Sequence, residues 1–304
     1  MLFSVGTFYA VLPLLDLILK SDISQSEFLT NFKHYESVPS NDVLELSLLC
    51  NWVSITNGKL SPTTNGRKLL ELSDKRLSLN QILRVQLKDL ILEIKPDWRI
   101  NIVKGRSQIK ERIPSEIHQC LEEAKLLAGY EYDVIQWWDY LSTEIRKDID
   151  NKKLTTGRLG ESLSLKYEHL RTGVMPKWES VESDIAGYDI KSKKSRSNCT
   201  PLYIEVKTSF SGCKFYLTKH QWETALSSSE YIFHLWLLHP LPTLYIIDVY
   251  FLEKHVPVNI GDGCWEEALI KLEKCNLDNS NRIRRLIFNK DYSNLLKKPK
   301  TSLT

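Results

Sequence analysis

Hydrophobic positions recur at helical spacing three times within the first fifty residues, which predicts three consecutive helices. The predicted helices cover residues 7–20, residues 25–34 and the segment capped by Ser40. The next stretch, WVSITNGKLSPTT, places two short strand patterns on either side of Asn-Gly, which is typical of a tight hairpin turn. A further helix, capped by Thr63 or Thr64, follows. This order of elements predicts a winged-helix-like domain over residues 1–77.

The middle of the chain, residues 78–150, has a helical pattern without strands. The predicted helices lie near 78–93, 114–127 and 131–149. The last of them contains the adjacent Trp137 and Trp138, and adjacent positions of a helix point to different faces. We therefore expect one tryptophan inside the core and the other against a neighbouring domain.

From residue 151 onward, strand patterns become frequent. Thr155 or Thr156 is the expected cap of a helix that Gly173 ends. The predicted strands lie near 186–191, 201–207, 213–217, 231–238 and 243–252. The predicted helices lie near 218–228 and 264–275, before a short polar tail. The fold class is therefore α/β for residues 151–304, with a mixed central sheet flanked by helices, and α+β for the whole chain with its mostly helical N-terminal region.

Charge is distributed unevenly along the chain. Residues 1–100 contain 11 basic residues (Lys and Arg) and 11 acidic residues (Asp and Glu). The corresponding numbers are 7 and 10 in residues 101–150, and 23 and 17 in residues 151–304. The positive excess in the last segment favours a polyanionic partner there. The six cysteines have no paired spacing, which favours reduced thiols in a cytoplasm over zinc or disulfides. Proline and charged residues interrupt the apolar segments, so we expect neither a signal peptide nor a membrane span.

The strand PLYIEVKTS contains two charged residues in an otherwise apolar pattern. Glu205 and Lys207 lie two residues apart and therefore share one face of the strand. Taken alone, this pattern is also typical of a surface ion pair. Fifteen residues, the length of one hairpin, separate Glu205 from Asp189, so the two carboxylates are expected side by side. Paired carboxylates are typical of a Mg²⁺ site for phosphate chemistry. In such a site Lys207 would either stabilise charge on the phosphate or orient the attacking water and help to deprotonate it.

A third carboxylate precedes the predicted sheet. In TTGRLGES, Gly157 and Gly160 would let the helix approach the sheet closely, so that Glu161 could join the other two carboxylates.

Two sets of basic residues are candidate nucleic-acid contacts. The set in the loop KSKKSRSN is Lys191, Lys193, Lys194 and Arg196. The set in the wing and closing helix of the winged-helix-like region is Lys59, Arg67 and Lys68. A solvated hairpin tip is the alternative for the first set. The predicted recognition helix, NDVLELSLLCNW, has no Lys or Arg, so this region is either a DNA-binding unit or a protein-contact or structural module.

Taken in order, Glu161, Asp189 and Glu205-Val206-Lys207 resemble the pattern of the PD-(D/E)xK nuclease superfamily. The segments GRLGES, AGYDI, PLYIEVKTS and FYLTKHQWETAL are similar to a Mrr-related branch of that superfamily. This branch is found as the C-terminal domain of the plant NO VEIN protein and in prokaryotic restriction and phage-defence proteins. The similarity extends from IPSEIHQCLEEAKLLAG to about residue 250, and Tyr188 stands where the superfamily name places a proline.

The resemblance implies a restriction-endonuclease-like fold and a metal-dependent phosphodiesterase. The ligands of Mg²⁺ or Mn²⁺ would be Asp189, Glu205 and the backbone carbonyl of Val206. Lys207 would be the catalytic lysine, and Glu161 matches the helix glutamate of the family. Gln221 matches a glutamine that some members add to the site, and an ordinary exposed helix residue is the alternative.

We therefore expect a cytoplasmic, Mg²⁺-dependent DNA endonuclease of a restriction or phage-defence system. Its expected partners are DNA, other subunits of such a system and, for cutting both strands, a second copy in a homodimer. Two alternatives stay open: a non-catalytic DNA-binding or regulatory subunit on a nuclease scaffold, and a nuclease subunit active only within a partner complex. The sequence contains no Walker P-loop, so an ATP-driven step would need a partner protein.

Overall fold

The computed structural model describes residues 2–75, 77–183, 185–210, 212–259, 263–273 and 283–287. The chain divides into two compact units, Met1–Ile149 and Asp150–Thr304, and each unit has hydrophobic core of its own. No helix in the described ranges is both long enough and apolar enough to cross a membrane.

The first unit begins with helices and two small hairpins. In chain order these are α1 (Val5–Lys20), α2 (Gln25–Asn31), β1 (His34–Tyr35), β2 (Val38–Pro39), α3 (Ser40–Leu49), β3 (Val53–Thr56), β4 (Lys59–Pro62) and α4 (Thr64–Asp74). Strands β3 and β4 pair about Asn57 and Gly58, whose positive φ values fit the predicted hairpin turn. Thr63 caps α4, as predicted, by accepting a hydrogen bond from the backbone of Gly66. Ser40, by contrast, is the first helical residue of α3, and Pro39 occupies the cap position.

The rest of the first unit is helical. It contains α5 (Leu79–Ile94), a 3₁₀ helix (Asp97–Lys104), α6 (Arg106–Lys110) and α7 (Ser115–Glu123). The helix that follows α7 contains Trp137 and Trp138, and both side chains lie in the core of the first unit together with residues of α1, α3 and α4. Their rings meet edge to face with centroids 5.0 Å apart, and their indole nitrogens donate to the carbonyls of Arg84 and Leu126. The expectation that one of them faces another domain is therefore wrong, because both indoles find partners in the same core.

Helix α8 (Tyr132–Thr172) replaces two helices predicted from the sequence. The hydroxyl of Thr155 donates to the carbonyl of Asn151 inside this helix, so Thr155 does not begin a new one. The intervening segment DIDNKKL is polar but contains no Pro or Gly to break a helix. Gly173 ends α8 with a φ of 74°, as predicted. The boundary between the two units falls within α8.

The second unit is built on a mixed sheet. After α8 its elements are β5 (Lys177–Trp178), α9 (Glu179–Glu182), β6 (Ile190–Lys193), β7 (Pro201–Ser209), β8 (Lys214–Thr218), α10 (Lys219–Ser227), β9 (Tyr231–Leu237), β10 (Thr243–Asp248), α11 (Val249–Leu252), a 3₁₀ turn (Glu253–His255), β11 (Glu267–Lys271) and β12 (Ile283–Ile287). The strand order is β12-β10-β9-β7-β6-β5, in which only the β7–β9 pair is parallel among the described strands. The predicted fold class, a mixed central sheet flanked by helices after a helical N-terminal region, is confirmed.

Two predicted elements of this unit differ from the structure. The strand expected near 243–252 ends at Asp248, and Val249–Leu252 form α11 instead. The helix expected over 264–275 is a strand at Glu267–Lys271, which pairs with β8 in a separate two-stranded sheet. Its apolar residues alternate, with Ile270 buried and Leu269 exposed, which is the pattern of a strand. Residues 274 and 275 and most of the predicted polar tail lie outside the described residues.

The two faces of β7 pack against different helices. Ile204 and Val206 lie in a core with Leu163 and Leu165 of α8. The opposite face borders a second core that contains Trp222 of α10. Glu205 and Lys207 belong to this second face because residues of a strand alternate between its two sides.

Candidate active site

Two carboxylates lie opposite each other across β6 and β7. The antiparallel register pairs Ile190 with Ile204, which places Asp189, the residue before β6, opposite Glu205 in the middle of β7. The backbone amide of Asp189 donates to the carbonyl of Ile204 at 3.0 Å and fixes this alignment. The structure therefore brings Asp189 and Glu205 together across one hairpin.

Burial makes both carboxylates difficult to ionise. Burial first, and then the charge of Glu205, raises the pKa of Asp189 to about 8, although a hydrogen bond from the Val206 amide opposes the rise. Glu205 is only 2% exposed, and burial raises its pKa as well, against the attraction of the Lys207 ammonium. Two such neighbouring groups favour a positive charge between them.

Lys207 and Gln221 complete a hydrogen-bonded triangle with Glu205. The Lys207 ammonium lies 2.9 Å from Glu205 Oε1 and donates at 2.9 Å to Gln221 Oε1. Gln221 Nε2 donates to the same Glu205 oxygen at 2.6 Å. Gln221 Oε1 also accepts from the backbone amide of Thr218, in the capping box that begins α10. The capping box at the start of α10 thus holds Gln221 in place, and Gln221 is not an ordinary exposed helix residue.

Val206 presents its backbone at the point where β6 has ended. Its amide donates to Asp189 Oδ2 at 2.7 Å. Because the N–H and C=O of one strand residue point toward the same neighbour, the Val206 carbonyl also faces this side. Within the described ranges, no three His, Cys, Asp or Glu side chains are arranged to hold a metal ion. A metal ion at Asp189 and Glu205 would therefore depend on the Val206 carbonyl and on water for its other ligands.

Glu161 lies near both carboxylates but has partners of its own. Its charge contributes to raising the pKa of Asp189 and of Glu205. The donors to its Oε2 are the side chains of Arg158, Trp178 and Ser180. Since three donors already hold this oxygen, Glu161 is suited to orienting the site from outside rather than to direct metal ligation.

Gly160 is the glycine that lets α8 approach the sheet. A Cβ at this position would overlap the hydroxyl of Thr208 on β7. A Cβ at Gly157 would meet nothing within 4 Å. The predicted reason for a glycine therefore applies to Gly160 and not to Gly157.

The predicted basic loop is partly strand, because Lys191 and Lys193 belong to β6 and pair with its neighbours. The loop after β6, with Lys194 and Arg196, lies at the other end of that strand from Asp189. At about 3.3 Å per residue, Lys194 is roughly 16 Å along the chain from Asp189. Lys194 is paired with Glu230, Arg196 donates to the carbonyl of Leu170, and Lys193 Nζ donates to the carbonyl of Arg196. Lys191 lies nearest to the carboxylates, since it is two residues from Asp189.

The three candidate nucleic-acid contacts of the first unit, Lys59, Arg67 and Lys68, are exposed. Lys59 on β4 forms an ion pair with Asp22, and Arg67 and Lys68 lie on the outer side of α4. Helix α3, the predicted recognition helix, presents Asn41 and Glu45 to solvent.

Sequence reasoning missed a tyrosine beside the carboxylates. Tyr231 pairs with Tyr203 in the parallel β7–β9 register, on the face of Glu205. Its hydroxyl donates to the carbonyl of Gly187 at 2.7 Å, and the charges of Glu205 and Asp189 add to the burial that raises its pKa. The parallel pairing of β7 with β9 creates this contact, and no local pattern in the sequence indicates it.

A buried polar network, also missed, lies on the opposite face of the sheet. His234 Nδ1 and Trp236 Nε1 both contact the hydroxyl of Ser164 on α8, at 3.1 and 2.8 Å. His234 Nε2 lies 3.9 Å from Glu168, whose carboxylate also binds Arg171 and Ser192. Arg171 in turn donates to the carbonyls of residues 193 and 194. The network therefore ties α8 to β6, β9 and the basic loop.

Comparison with known proteins places a similarity on this part of the chain. The family model described as "Protein NO VEIN, C-terminal" matches residues 160–247. The match begins at the glycine that contacts β7 and includes the three carboxylates, Lys207 and Gln221. It covers less than a third of the 304 residues and does not reach back to the earlier segment, near 113, where a resemblance was expected. No significant match was found among curated proteins or among solved structures.

Proposed function

We propose that the second unit is a metal-dependent endonuclease that hydrolyses phosphodiester bonds of DNA, with the PD-(D/E)xK arrangement of residues. The observation that carries this proposal is the placement of Asp189 opposite Glu205, with Lys207 on the same face and in contact with Glu205. The similarity of residues 160–247 to the NO VEIN C-terminal family supports a nuclease-related role. A scaffold without activity has no reason to keep two buried carboxylates together at the cost of their repulsion.

The donor set fits a hard divalent cation. The ligands would be one carboxylate oxygen each from Asp189 and Glu205 and the Val206 carbonyl, which are all oxygens, as Mg²⁺ and Mn²⁺ prefer. When bound, such an ion supplies positive charge that stabilises the anionic transition state of phosphoryl transfer.

The reaction is an in-line displacement at phosphorus. A water molecule loses one proton as its oxygen bonds to phosphorus, and the bond from phosphorus to the 3′ oxygen breaks. The 3′ oxygen takes up a proton in turn, so that the one water consumed leaves a 5′-phosphate and a 3′-hydroxyl. Lys207 would donate hydrogen bonds to the attacking water or to a phosphate oxygen, where its charge offsets the charge that develops. Gln221 would keep the ammonium at that position, and Glu161 would orient the site through its neighbours.

The biological setting follows from the resemblance and not from the geometry. It is a cytoplasmic restriction or phage-defence system, in which the protein acts with partner subunits or as a homodimer on both strands. The winged-helix-like region of the first unit would contact DNA or a partner protein there.

The test is a plasmid-cleavage assay in Mg²⁺, Mn²⁺ or EDTA. We expect nicking or linearisation by the wild type with either metal ion and none in EDTA. Glu205→Gln and Lys207→Met should each lose at least about 100-fold in rate, as the loss of a charge-stabilising group at a reacting centre does.

Two residues of α10 outside the hydrogen-bonded triangle, the partly buried Lys219 and the exposed Glu223, provide matched controls. Glu223→Gln and Lys219→Met make the same chemical changes on a weakly bonded surface pair and should leave the rate unchanged. Metal-dependent cleavage that persists in Glu205→Gln and Lys207→Met would overturn the site assignment. Cleavage in none of the conditions would favour the non-catalytic or partner-activated alternatives.

A further inference from the structure

A row of side chains crosses three strands beside the two carboxylates. Lys177 of β5 pairs directly opposite Lys191 of β6, and Lys191 pairs opposite Tyr203 of β7. Residues directly opposite each other in antiparallel strands share one face of the sheet. The row therefore lies on the face of Glu205, which follows Tyr203 by two residues, or about 7 Å along the strand.

The two lysines of this row are in an electrostatically unfavourable position. Like charges directly opposite each other destabilise an antiparallel pair. Lys177 is partly compensated by Glu179 at 2.9 Å, and the Lys191 ammonium lies over the ring of Tyr203, 5.8 Å from its centroid. A phosphate group bound between the two ammonium groups would relieve this repulsion.

Two tyrosines provide an aromatic surface next to the lysines. The rings of Tyr188 and Tyr203 have centroids 4.7 Å apart and are tilted by 49°. Both rings pack against the core of the second unit and are partly exposed to solvent. Aromatic rings beside basic side chains are the combination by which proteins bind unpaired bases with little sequence preference.

We propose that Tyr188, Lys191 and Tyr203, with Lys177, form a subsite for one unpaired nucleotide next to the scissile phosphate. The lysines bind its phosphate, and its base stacks on the tyrosine rings. This proposal rests on the proposed nuclease function and specifies its substrate, since a base can stack there only where the strand is single or locally opened. The basic loop after β6 then contacts the phosphate backbone of the same DNA strand, farther from the cleavage site.

An acidic peptide would satisfy the lysines but not the tyrosines. Carboxylate side chains neutralise ammonium groups, whereas the aromatic pair adds affinity only for a ligand with a flat apolar face. The base therefore distinguishes a nucleotide from an acidic peptide, and the test compares ligands with and without bases.

The test measures binding in EDTA, where binding is separated from cleavage. A fluorescent oligothymidylate is titrated with the whole protein and its anisotropy is recorded. A second oligonucleotide has the same phosphate backbone with abasic sites in place of the bases. The test variants are Tyr203→Leu, Tyr188→Leu and Lys191→Met. The controls are Tyr216→Leu and Lys214→Met, which change exposed residues of β8 outside the site.

We expect Tyr203→Leu and Tyr188→Leu to weaken binding of oligothymidylate by about tenfold and to leave binding of the abasic strand unchanged. Lys191→Met should weaken binding of both strands and lower the slope of log K against log salt by about one. The two β8 variants should bind as the wild type does. Circular dichroism of each variant verifies that the fold is kept, and the Tyr188 variant provides the test if Tyr203→Leu does not fold.

The outcomes separate this proposal from the nuclease function. Suppose that the wild type cleaves DNA. If the tyrosine variants then bind oligothymidylate normally, or lose as much affinity for the abasic strand as for oligothymidylate, the subsite is wrong and the nuclease stands. If binding changes as expected but no DNA is cleaved, the subsite stands without the nuclease. Equal displacement of the oligonucleotide by polyglutamate and by unlabelled oligothymidylate would also contradict the subsite.

Discussion

At the scale of single residues, the candidate site depends on how Gln221 holds the charged pair of β7. Its amide contacts Glu205 through nitrogen and Lys207 through oxygen, so one side chain sets the distance between the two. The capping box of α10 in turn fixes Gln221. A residue in this position acts through the groups that it orients.

Replacing Gln221 by leucine therefore removes two hydrogen bonds from the site without changing a charge. We expect cleavage to fall by about 10- to 100-fold, because outer residues that orient catalytic groups typically have effects of this size. The measurement is the initial rate of plasmid cleavage in Mn²⁺, with Gln221→Glu as a second variant. Wild-type rates in Gln221→Leu would show that Lys207 does not need this partner.

His234 makes the stability of the second unit sensitive to acid. Burial lowers its pKa to about 4, against the attraction of Glu168. Below about pH 6.5, an unfolded histidine takes up a proton that the folded one does not, so stability is lost as the pH falls from about 6.5 toward 4. The expected loss attributable to His234 between pH 7.5 and pH 5 is about 2 kcal/mol.

The measurement is urea unfolding of the wild type and of His234→Asn at the two pH values. The other groups that titrate in this range are common to both proteins and cancel in the comparison. The difference in stability between the two proteins should shrink by about 2 kcal/mol at pH 5. A difference that is independent of pH would show that folding does not lower the pKa of His234.

At the scale of elements, the close contact between α8 and β7 determines where Glu161 lies. Gly160 permits this contact because a Cβ there would overlap Thr208. Gly157, three residues earlier on the same helix, has open space around its Cβ position. The two glycines therefore form a matched pair for mutation.

Gly160→Ala should destabilise the protein by about 1–3 kcal/mol, the usual cost of overpacking. It should also reduce cleavage, since α8 would have to shift and carry Glu161 with it. Gly157→Ala should have no such effect and should gain up to about 1 kcal/mol from the better helix propensity of alanine. Urea unfolding measures both changes, and equal effects of the two substitutions would show that the α8–β7 contact is not tight.

The elements also show what the sequence could and could not predict. Local turn chemistry correctly predicts the hairpin at Asn57-Gly58 and the end of α8 at Gly173. The alternation of apolar residues correctly predicts the strand β7. The continuity of α8 across residues 150–155 was missed because its polar segment resembles a cap in composition. Strand β11 was mistaken for a helix because a short segment with few apolar residues has no clear period, and its pairing with β8 decides its structure.

At the scale of the whole molecule, the positive charge belongs to the second unit. Residues 151–304 have 23 basic against 17 acidic residues, while residues 1–100 are balanced at 11 and 11. In the first unit, Lys59 is already paired with Asp22, and α3 presents no basic side chain. Contacts with the DNA backbone should therefore be made mainly by the second unit.

The salt dependence of DNA binding tests this distribution. Lys191→Ala combined with Lys193→Ala should reduce the slope of log K against log salt by about two, because two phosphate contacts are lost. Arg67→Ala combined with Lys68→Ala should reduce it less. A larger reduction from the α4 pair would instead identify the winged-helix-like region as the main DNA-binding surface.

The composition of the candidate site was predicted better than its surroundings. One hairpin places Asp189 beside Glu205, and the alternation of side chains along β7 places Lys207 on the face of Glu205. The spacing of these residues in the sequence predicts both relations. The contacts of Tyr231 and of the Lys177–Lys191–Tyr203 row arise from pairing among strands that are distant in sequence. Local patterns cannot predict such contacts.

The most direct test of the central claim separates metal binding from chemistry in one set of variants. Mn²⁺ binding, measured by electron paramagnetic resonance, is compared with DNA cleavage for Asp189→Asn, Glu205→Gln, Lys207→Met and the surface control Glu223→Gln. We predict that the Asp189 and Glu205 variants lose both properties, that Lys207→Met binds Mn²⁺ but does not cleave, and that the control keeps both. Mn²⁺ bound equally by all four variants would contradict the assignment of Asp189 and Glu205 as metal ligands.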